Sequence, residues 1–223
     1  MEKNMGKLVN KPYRNELKYT FSNSEYYSIL RMLGKLNFHK YHDFNYVNNV
    51  YFDNENTFFD DNIEGLSNRT KCRIRWYGRS NFNNSINLEL KIKKGKVGKK
   101  VVCKLKTQDF RDIDSIKEEI SKISIKHNLK IHQLSPNVQN QYHREYFINK
   151  GVRMTLDTKI KYSNYNIINS PIFISEKNVL ELKFDVNYNP DLTFLSDLDL
   201  KLERNSKYVN GLNLTDNINL NFN

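Results

Sequence analysis

In Lys71-Cys72-Arg73-Ile74-Arg75-Trp76-Tyr77 a positive charge recurs at every second residue, and non-ionic residues fill the gaps. Successive side chains of a β-strand point to opposite faces, so Lys71, Arg73 and Arg75 share one face while Cys72, Ile74 and Trp76 share the other. A lone ladder of this kind is most often a solvated surface, since long cations are almost always exposed. The same two-residue spacing recurs, however, in Arg14-x-Glu16-x-Lys18, Glu89-x-Lys91, Arg153-x-Thr155-x-Asp157 and Glu181-x-Lys183, interleaved mostly with apolar residues. Together these segments predict ionic faces that look at one another across a closed, charged interior.

The remaining pattern supplies the wall and its covering. Strands are predicted over 13–21, 46–52, 67–77, 86–93, 100–105, 142–148, 152–157, 172–174 and 179–184 from β-branched and aromatic content and from alternation. Tyr26, Ile29, Leu30, Leu33 and Leu36 recur at helical spacing after Ser22, Asn23 and Ser24, any of which can cap a first turn. Ile113, Ile116, Ile120 and Ile123 form a second stripe, with Asp114 or Ser115 as its cap. A short helical or irregular connection closed by Gly65 is predicted over 57–65, a break at Pro136, and another short helix around Leu192, Leu195 and Leu198. The basic run 94–99 and Asn149-Lys150-Gly151 read as hairpin loops, which makes the sheet largely antiparallel. The Asn-rich end beyond residue 217 carries no assignment.

An antiparallel sheet of this kind could be an open sheet with a wet charged face, a sandwich, or a barrel with charges in its lumen. Two amphipathic helices need an apolar partner, which favours a closed tunnel-like β-barrel of the α+β class with helices packed outside. Cations in a lumen are costly unless anions sit among them. Glu16, Glu89, Asp157 and Glu181 offset part of that cost, and a bound polyanion offsets the rest. The chain carries 36 Lys and Arg against 25 Asp and Glu over 223 residues, a net charge of +11, which favours a polyanionic partner. Cys72 and Cys103 read as small buried hydrophobes of a reducing compartment. No stretch reaches the roughly 20 apolar residues of a membrane span, and the polar first 11 residues lack a signal-peptide core, so the expectation is a soluble, cytoplasmic chain. His39, His42, His127, His132 and His143 show no metal-ligand spacing. Trp76 and Tyr77 are read as wall residues, since Trp76 alternates away from the ladder.

Eight motifs then occur in order: Arg14-Asn15-Glu16-Leu17-Lys18-Tyr19, Tyr51-Phe52-Asp53, Arg69 to Tyr77, Leu88-Glu89-Leu90-Lys91, Tyr142-x-Arg144, Arg153-x-Thr155-x-Asp157, Leu180-Glu181-Leu182-Lys183, and Ser206-Lys207-Tyr208-x-x-Gly211. Taken together the chain resembles the VTC domain, the polyphosphate polymerase branch of the triphosphate tunnel metalloenzymes. The resemblance implies a single domain over 12–223 behind a flexible basic lead, 1–11. It implies a tunnel that binds the triphosphate of ATP and passes its terminal phosphate to a growing inorganic polyphosphate chain. By motif it assigns Lys18, Arg73, Arg75, Lys91, Arg144 and Arg153 as the residues that grip the reacting phosphates. Arg14, Lys71, Tyr142, Lys183, Arg204, Ser206 and Lys207 are further phosphate contacts. Glu181 is the family's metal-binding carboxylate, and Glu16 and Glu89 are added to the Mn²⁺ or Mg²⁺ site. Arg14 stands where the broader triphosphatase relatives have the first Glu of Glu-x-Glu-x-Lys, which removes a carboxylate and adds a cation. Relatives are often coupled to membrane segments, so a membrane protein partner and peripheral attachment are also implied.

The chemistry agrees with that reading. Phosphoryl transfer through a loose transition state needs positioning and charge neutralisation more than covalent catalysis. Arg supplies planar bidentate contacts and Lys a point charge. Two other readings fit the same residues: a tunnel-type inorganic or nucleoside triphosphatase, and a sensor that binds polyphosphate or nucleotide without turnover. Nucleic acid is not expected, because the aromatic residues mostly fall on the face opposite the cations.

Overall fold

The computed structural model describes residues 8–9, 14–79, 85–95, 97–126, 131, 133–198 and 200–216. In chain order the elements are β1 (Leu8–Val9), β2 (Arg14–Phe21), α1 (Tyr26–Lys35), β3 (His39–Asp53), α2 (Thr57–Ile63), β4 (Arg69–Tyr77), β5 (Asn87–Lys94) and β6 (Val97–Lys104). Then follow α3 (Ile113–Lys126), β7 (Ser135–Asn149), β8 (Val152–Asn164), β9 (Phe173–Ile174), β10 (Asn178–Asp185), β11 (Lys201–Leu202) and α4 (Lys207–Asp216). All strands join one antiparallel sheet in the order β1-β6-β5-β4-β3-β7-β8-β10-β2-β11, with β9 beside β8. Of the basic lead, Leu8–Val9 pair with β6; residues 1–7 and 10–11 lie outside the described residues, as do His127, His132 and the end from 217.

The expected α+β, mainly antiparallel architecture is present, but the sheet does not close into a barrel. Among the described residues its two ends are not joined by a strand ladder; they are covered instead by the short strands β1 and β11. Beyond β11, the Glu203 amide donates to the Lys18 carbonyl, so the 201–203 segment occupies the β2 edge where a barrel partner would pair. The sheet nevertheless curls until its ends meet through side chains. Glu16 on β2 lies 3.8 Å from Lys91 on β5, a geometry compatible with a tunnel.

Alternation builds the wall as expected. Cys72, Ile74, Trp76, Leu88 and Leu90 face outward and pack against Ile116 and Ile120 of α3, while Met154, Leu156, Leu180 and Leu182 pack against Ile29 and Leu33 of α1. Full burial of each such side chain is worth about 1.5–3 kcal/mol before entropy is counted, which is why these helices lie on this face. Trp76 stacks on Phe110 with ring centroids 4.6 Å apart. At α1 the Ser22 amide donates to the Glu25 carboxylate (2.7 Å). At α3 the cap is Asp112, whose Oδ1 accepts from the Ser115 amide (3.3 Å), rather than Asp114 or Ser115.

Two boundaries differ from expectation. Pro136 breaks nothing: it sits at the second residue of β7, opposite Phe52 beside a register shift, where the ladder tolerates a missing N–H. The apolar residues at 192–198 form only a single 3-10 turn, Thr193–Leu195. Among the described residues no helix is long and apolar enough to cross a membrane.

The helix that matters most for the interior is α4, for which no helical periodicity was assigned. It packs on the inner face, where Tyr208 and Leu212 meet Tyr51 of β3 and Val138 of β7. The Tyr208 hydroxyl donates to Asp53, whose carboxylate also accepts the Phe58 and Phe59 amides at the start of α2 (2.8 and 2.9 Å). Asp53 therefore ties β3, α2 and α4 together, and the Tyr51-Phe52-Asp53 motif gains a structural role.

Close approach of α4 depends on Gly211, where an added Cβ would lie 2.6 Å from Tyr162 Cδ1 and 3.0 Å from Val138 Cγ2. Helix propensity alone favours Ala over Gly by about 1 kcal/mol, whereas overpacking costs about 1–3 kcal/mol. We predict that Gly211→Ala lowers the urea midpoint of unfolding; a raised midpoint would show that α4 does not press on β7 and β8.

Candidate active site

The inner face is assembled by register. Lys18 lies opposite Glu181 and Glu16 opposite Lys183 across β2 and β10, and Lys183 in turn faces Arg153 on β8. Asp157 is opposite Arg144 across β8 and β7. Asn49 on β3 lies between Asn140 and Arg75, Arg73 faces Glu89, and Lys71 faces Lys91. Four of these pairings, Lys18 with Glu181, Glu16 with Lys183, Arg144 with Asp157 and Arg73 with Glu89, bring opposite charges together and offset the cost of inward cations, whereas Lys183 with Arg153 and Lys71 with Lys91 set like charges side by side.

Three carboxylate centres hold the interior. Glu89, 7 % exposed, accepts from Arg73 Nη2 (2.6 Å) and Nε (2.9 Å) and from Lys100 Nζ (3.0 Å). Burial raises its pKa, but Arg73, Arg75 and Lys100 outweigh burial and hold it far below the ordinary carboxylate range. Asp157, fully buried, takes a bidentate pair from Arg144 (2.5 and 2.7 Å) and a third contact from Lys207 Nζ (2.6 Å). Burial opposes its charge, yet Arg144 and Lys207 bring its pKa down to about 2. Glu181 contacts Lys183 (2.5 Å) and Arg144 (3.6 Å). It lies against Glu16, which itself reaches Lys18 at 3.1 Å and Lys183 at 3.8 Å. Despite burial, Lys183, Lys18 and Arg144 keep Glu181 well below its usual value.

One part of the interior is short of anions. Lys71 Nζ donates to Ser206 Oγ (2.8 Å), a neutral partner. Burial first, then Lys18, Lys91, Arg73 and Arg69, push its pKa down to about 7. Lys18 beside it is opposed by burial but carried the other way by Glu181 and Glu16, so its pKa is raised; its Nζ also donates to the Asn205 carbonyl (3.1 Å). Arg75 donates to Asn49 Oδ1 (2.7 Å) and to the Tyr142 hydroxyl (3.1 Å). Tyr142 lies under Lys207, whose Nζ is 4.6 Å from the ring centroid, and under Arg144 at 5.3 Å.

The structure thus gathers Lys18, Lys71, Arg73, Arg75, Lys91, Tyr142, Arg144, Lys183, Ser206, Lys207, Glu16, Glu89 and Glu181 around one interior. Arg153 shares that face by register, and its side chain makes no hydrogen bond or ion pair among the described residues. Two expected members stand apart. Arg14 is exposed at the start of β2, opposite Asp185. Arg204 is exposed and lies over Gly65, whose added Cβ would sit 2.8 Å from its Nη1. Several interior residues carry no site assignment from sequence: Lys100, read as the first residue of a strand, and Asn49, Tyr51 and Asn205. Lys100 sits two residues before Val102 on a strand with apolar residues on both faces, so alternation gave no signal. The aromatic residues do not all lie on the wall either. Tyr77 shares the parity of Lys71, Arg73 and Arg75, and Tyr51, Tyr142 and Tyr146 lie on the inner face as well.

The donor set for a divalent ion is narrow. Among the described residues no group of three or more His, Cys, Asp and Glu converges. Glu16 and Glu181 are adjacent, while Glu89 is committed to Arg73 and Lys100 on the other side. Two carboxylates suit Mg²⁺ or Mn²⁺, ions that take one or two protein oxygens and complete their shell with water and phosphate. The residues therefore fit an ion held jointly by Glu181, Glu16 and a phosphate ligand, and do not fit a cage that includes Glu89.

The curled antiparallel sheet thus carries a cation-rich, carboxylate-studded interior. The VTC domain profile matches residues 13–215, and the chain belongs to that family. Solved structures share the fold. A Bacillus halodurans protein provisionally named an adenylate cyclase is 16 % identical, with a TM-score of 0.55 over 87 % of this chain and 94 % of its own. A Hippeastrum protein provisionally named an adenylyl cyclase, and described as having a dominant triphosphatase activity, is 14 % identical, with a TM-score of 0.54 over 91 % of this chain and 97 % of its own. The PH1012 protein of Pyrococcus horikoshii is 12 % identical, with a TM-score of 0.52 over 88 % of this chain and 99 % of its own. No curated protein matches the chain.

Two measurements test the electrostatics. Because the folded chain holds Lys71 at about 7, below the ordinary lysine value of 10.5, the unfolded chain binds an extra proton between those pH values, and this site's contribution to stability rises as pH increases through that window. Urea midpoints at pH 7, 8 and 9 should therefore rise more steeply in the wild type than in Lys71→Met; parallel slopes would refute the shift. Asp157→Asn leaves Arg144 and Lys207 without their carboxylate, a change expected to cost about 3–5 kcal/mol in the same assay. An unchanged midpoint would mean that the centre is not structural.

Proposed function

We propose that this chain is a polyphosphate polymerase, which transfers the terminal phosphate of ATP to a growing inorganic polyphosphate chain within the cationic interior. The observation that carries the reading is the imbalance of that interior. Lys18, Lys71, Arg73, Arg75, Lys91, Lys100, Arg144, Arg153, Lys183 and Lys207 face Glu16, Glu89, Asp157 and Glu181, so cations outnumber carboxylates more than two to one. A phosphate chain is the ligand that completes such a balance. VTC family membership and the likeness to tunnel folds support the same reading.

In this reaction a terminal oxygen of the acceptor phosphate forms a bond to the γ-phosphorus of ATP as the bond to the β-phosphate oxygen breaks, releasing ADP. The acceptor oxygen is already anionic at neutral pH, so no general base is required. Arg73 and Arg75 present planar guanidinium groups to the transferring phosphate, and Arg144 and Lys207 hold the neighbouring one. Lys71, whose partner among the described residues is a hydroxyl, gains a counter-charge when phosphate arrives. Family members use a divalent ion; Glu181 and Glu16 would hold it, and it would supply neutralisation of the charge that develops in the transfer.

A tunnel triphosphatase is the second reading, supported by the Hippeastrum neighbour described above. Hydrolysis needs a positioned water and a group to orient it, and the interior offers few carboxylates beside many cations for that role, which disfavours it.

Purified protein incubated with ATP and Mn²⁺ or Mg²⁺ should give long phosphate chains on a polyphosphate gel. Free phosphate as the sole product would establish hydrolysis, and binding without turnover would establish a sensor. Arg73→Ala and Glu181→Ala should each reduce synthesis about a hundredfold or more at a temperature where circular dichroism shows the variant folded. Wild-type yield from both variants would sink the assignment.

A further inference from the structure

Arg75 is held differently from the other guanidinium groups that the interior fixes in place. A guanidinium only donates hydrogen bonds, and its Nε and Nη2 donors form one fork. In Arg144 this fork grips the two oxygens of Asp157, and in Arg73 both donors go to Glu89 Oε2. In Arg75 the same fork takes two neutral oxygens: Nε donates to Asn49 Oδ1 at 2.7 Å and Nη2 to the Tyr142 hydroxyl at 3.1 Å. Glu89, the carboxylate that approaches it, has Oε2 3.9 Å from Nη1, which is too long for a hydrogen bond. Arg73 and Arg144 therefore keep a hydrogen-bonded counter-charge, and Arg75 is fixed without one.

A relay of amides across three strands turns Asn49 this way. Asn49 on β3 lies opposite both Arg75 on β4 and Asn140 on β7. Because Arg75 offers only donors, Asn49 must present Oδ1 to it, and Asn49 Nδ2 is then left to donate to Asn140 Oδ1 at 2.8 Å. Asn49 is fully buried and Asn140 is 1 % exposed. Asn140 Nδ2 ends the relay buried and without a hydrogen-bond partner among the described residues, a cost to folding that native interiors rarely carry. A carboxylate at position 49 would remove that cost, since it would pair with Arg75 and accept from a turned Asn140 amide. An amide there fixes the guanidinium equally well and leaves its charge unbalanced. We propose that Asn49, backed by Asn140, is a positioning residue that holds Arg75 through a neutral oxygen, so that the Nη1–Nη2 edge presents its full charge to a phosphate of the bound chain. The inference rests on the interior being a phosphate site, as in the proposed function.

The test compares the full chain with Asn49→Asp and Asn140→Asp, reading the affinity for inorganic tripolyphosphate by calorimetry and stability by the urea midpoint. Asn49→Asp keeps an acceptor of the same shape on Arg75 and adds one negative charge. Tripolyphosphate should then bind on the order of tenfold more weakly, while the urea midpoint stays level or rises. Asn140→Asp keeps the bond from Asn49, removes the orphan N–H and sets the new charge one side chain further from Arg75. Its loss of affinity should be smaller, about threefold, again with no loss of stability. An Asn49→Asp affinity equal to wild type overturns the role, because an amide that served only as a structural acceptor would be replaceable by a carboxylate. Lowered urea midpoints in both folded variants overturn it as well, by showing that the amides serve packing. Should Asn49→Asp alone fail to fold, Asn140→Asp decides: weakened binding supports the role and wild-type binding overturns it. Failure of tripolyphosphate to bind the wild-type protein overturns the phosphate site itself, and this role with it. Polymer synthesis is not read here, so its absence on the gel would overturn the polymerase reading alone.

Discussion

The fold depends on inward-facing cations finding carboxylates across strands. An unpaired charge held away from water is strongly unfavourable, and breaking one partner of a buried pair costs several kcal/mol. Glu89 between Arg73 and Lys100, Asp157 between Arg144 and Lys207, and Glu181 between Lys183 and Arg144 each hold more than one cation. Every one of these centres joins different strands or a strand and α4, so the register of the sheet and the charge balance of the interior are the same constraint. A one-residue slip would carry a whole row of cations into the apolar wall and a row of Leu and Ile into the lumen.

The balance is deliberately incomplete in a physical sense: the carboxylates suffice to fold the chain and leave Lys71 with a hydroxyl for its partner. At Lys71, and at Arg153, whose side chain has no hydrogen-bond or ion-pair partner among the described residues, an arriving anion meets charge that no carboxylate balances. The outer helices α1 and α3 make this possible by covering the apolar wall, whereas α4 enters the interior and brings Ser206 and Lys207 to the site. The interior is consequently polar in its middle and filled with Tyr208 and Leu212 at one end.

Much of this was legible in the residues. The parity of Lys71, Arg73 and Arg75 against Cys72, Ile74 and Trp76 places the cations inside and the wall outside, and the stripes at Ile29 and Leu33 and at Ile116 and Ile120 identify the helices that cover it. Parity also assigns Tyr77 to the cationic side, although its neighbour Trp76 drew the pair toward a wall reading. What stayed hidden has a physical cause in each case. Pro136 is a breaker by local chemistry, yet the start of a strand beside a register shift removes the need for its N–H. Lys100 lies in a strand whose other residues do not alternate cleanly. The helical nature of α4 was masked because Gly211 lowers local propensity, while the glycine is there to admit Tyr162 and Val138.

By itself the sequence determined which side chains share a face, because that follows from a backbone period of two and needs no knowledge of the partner strands. It determined equally that the interior must carry an excess of positive charge. Only the tertiary structure decided which cation meets which carboxylate, that the sheet curls without closing by hydrogen bonds, and that Arg14 and Arg204 stand outside the cluster. Those outcomes depend on register, curvature and edge coverage, which are set by contacts between segments more than a hundred residues apart, such as Lys18 with Asn205 and Lys71 with Ser206, and no local period encodes them.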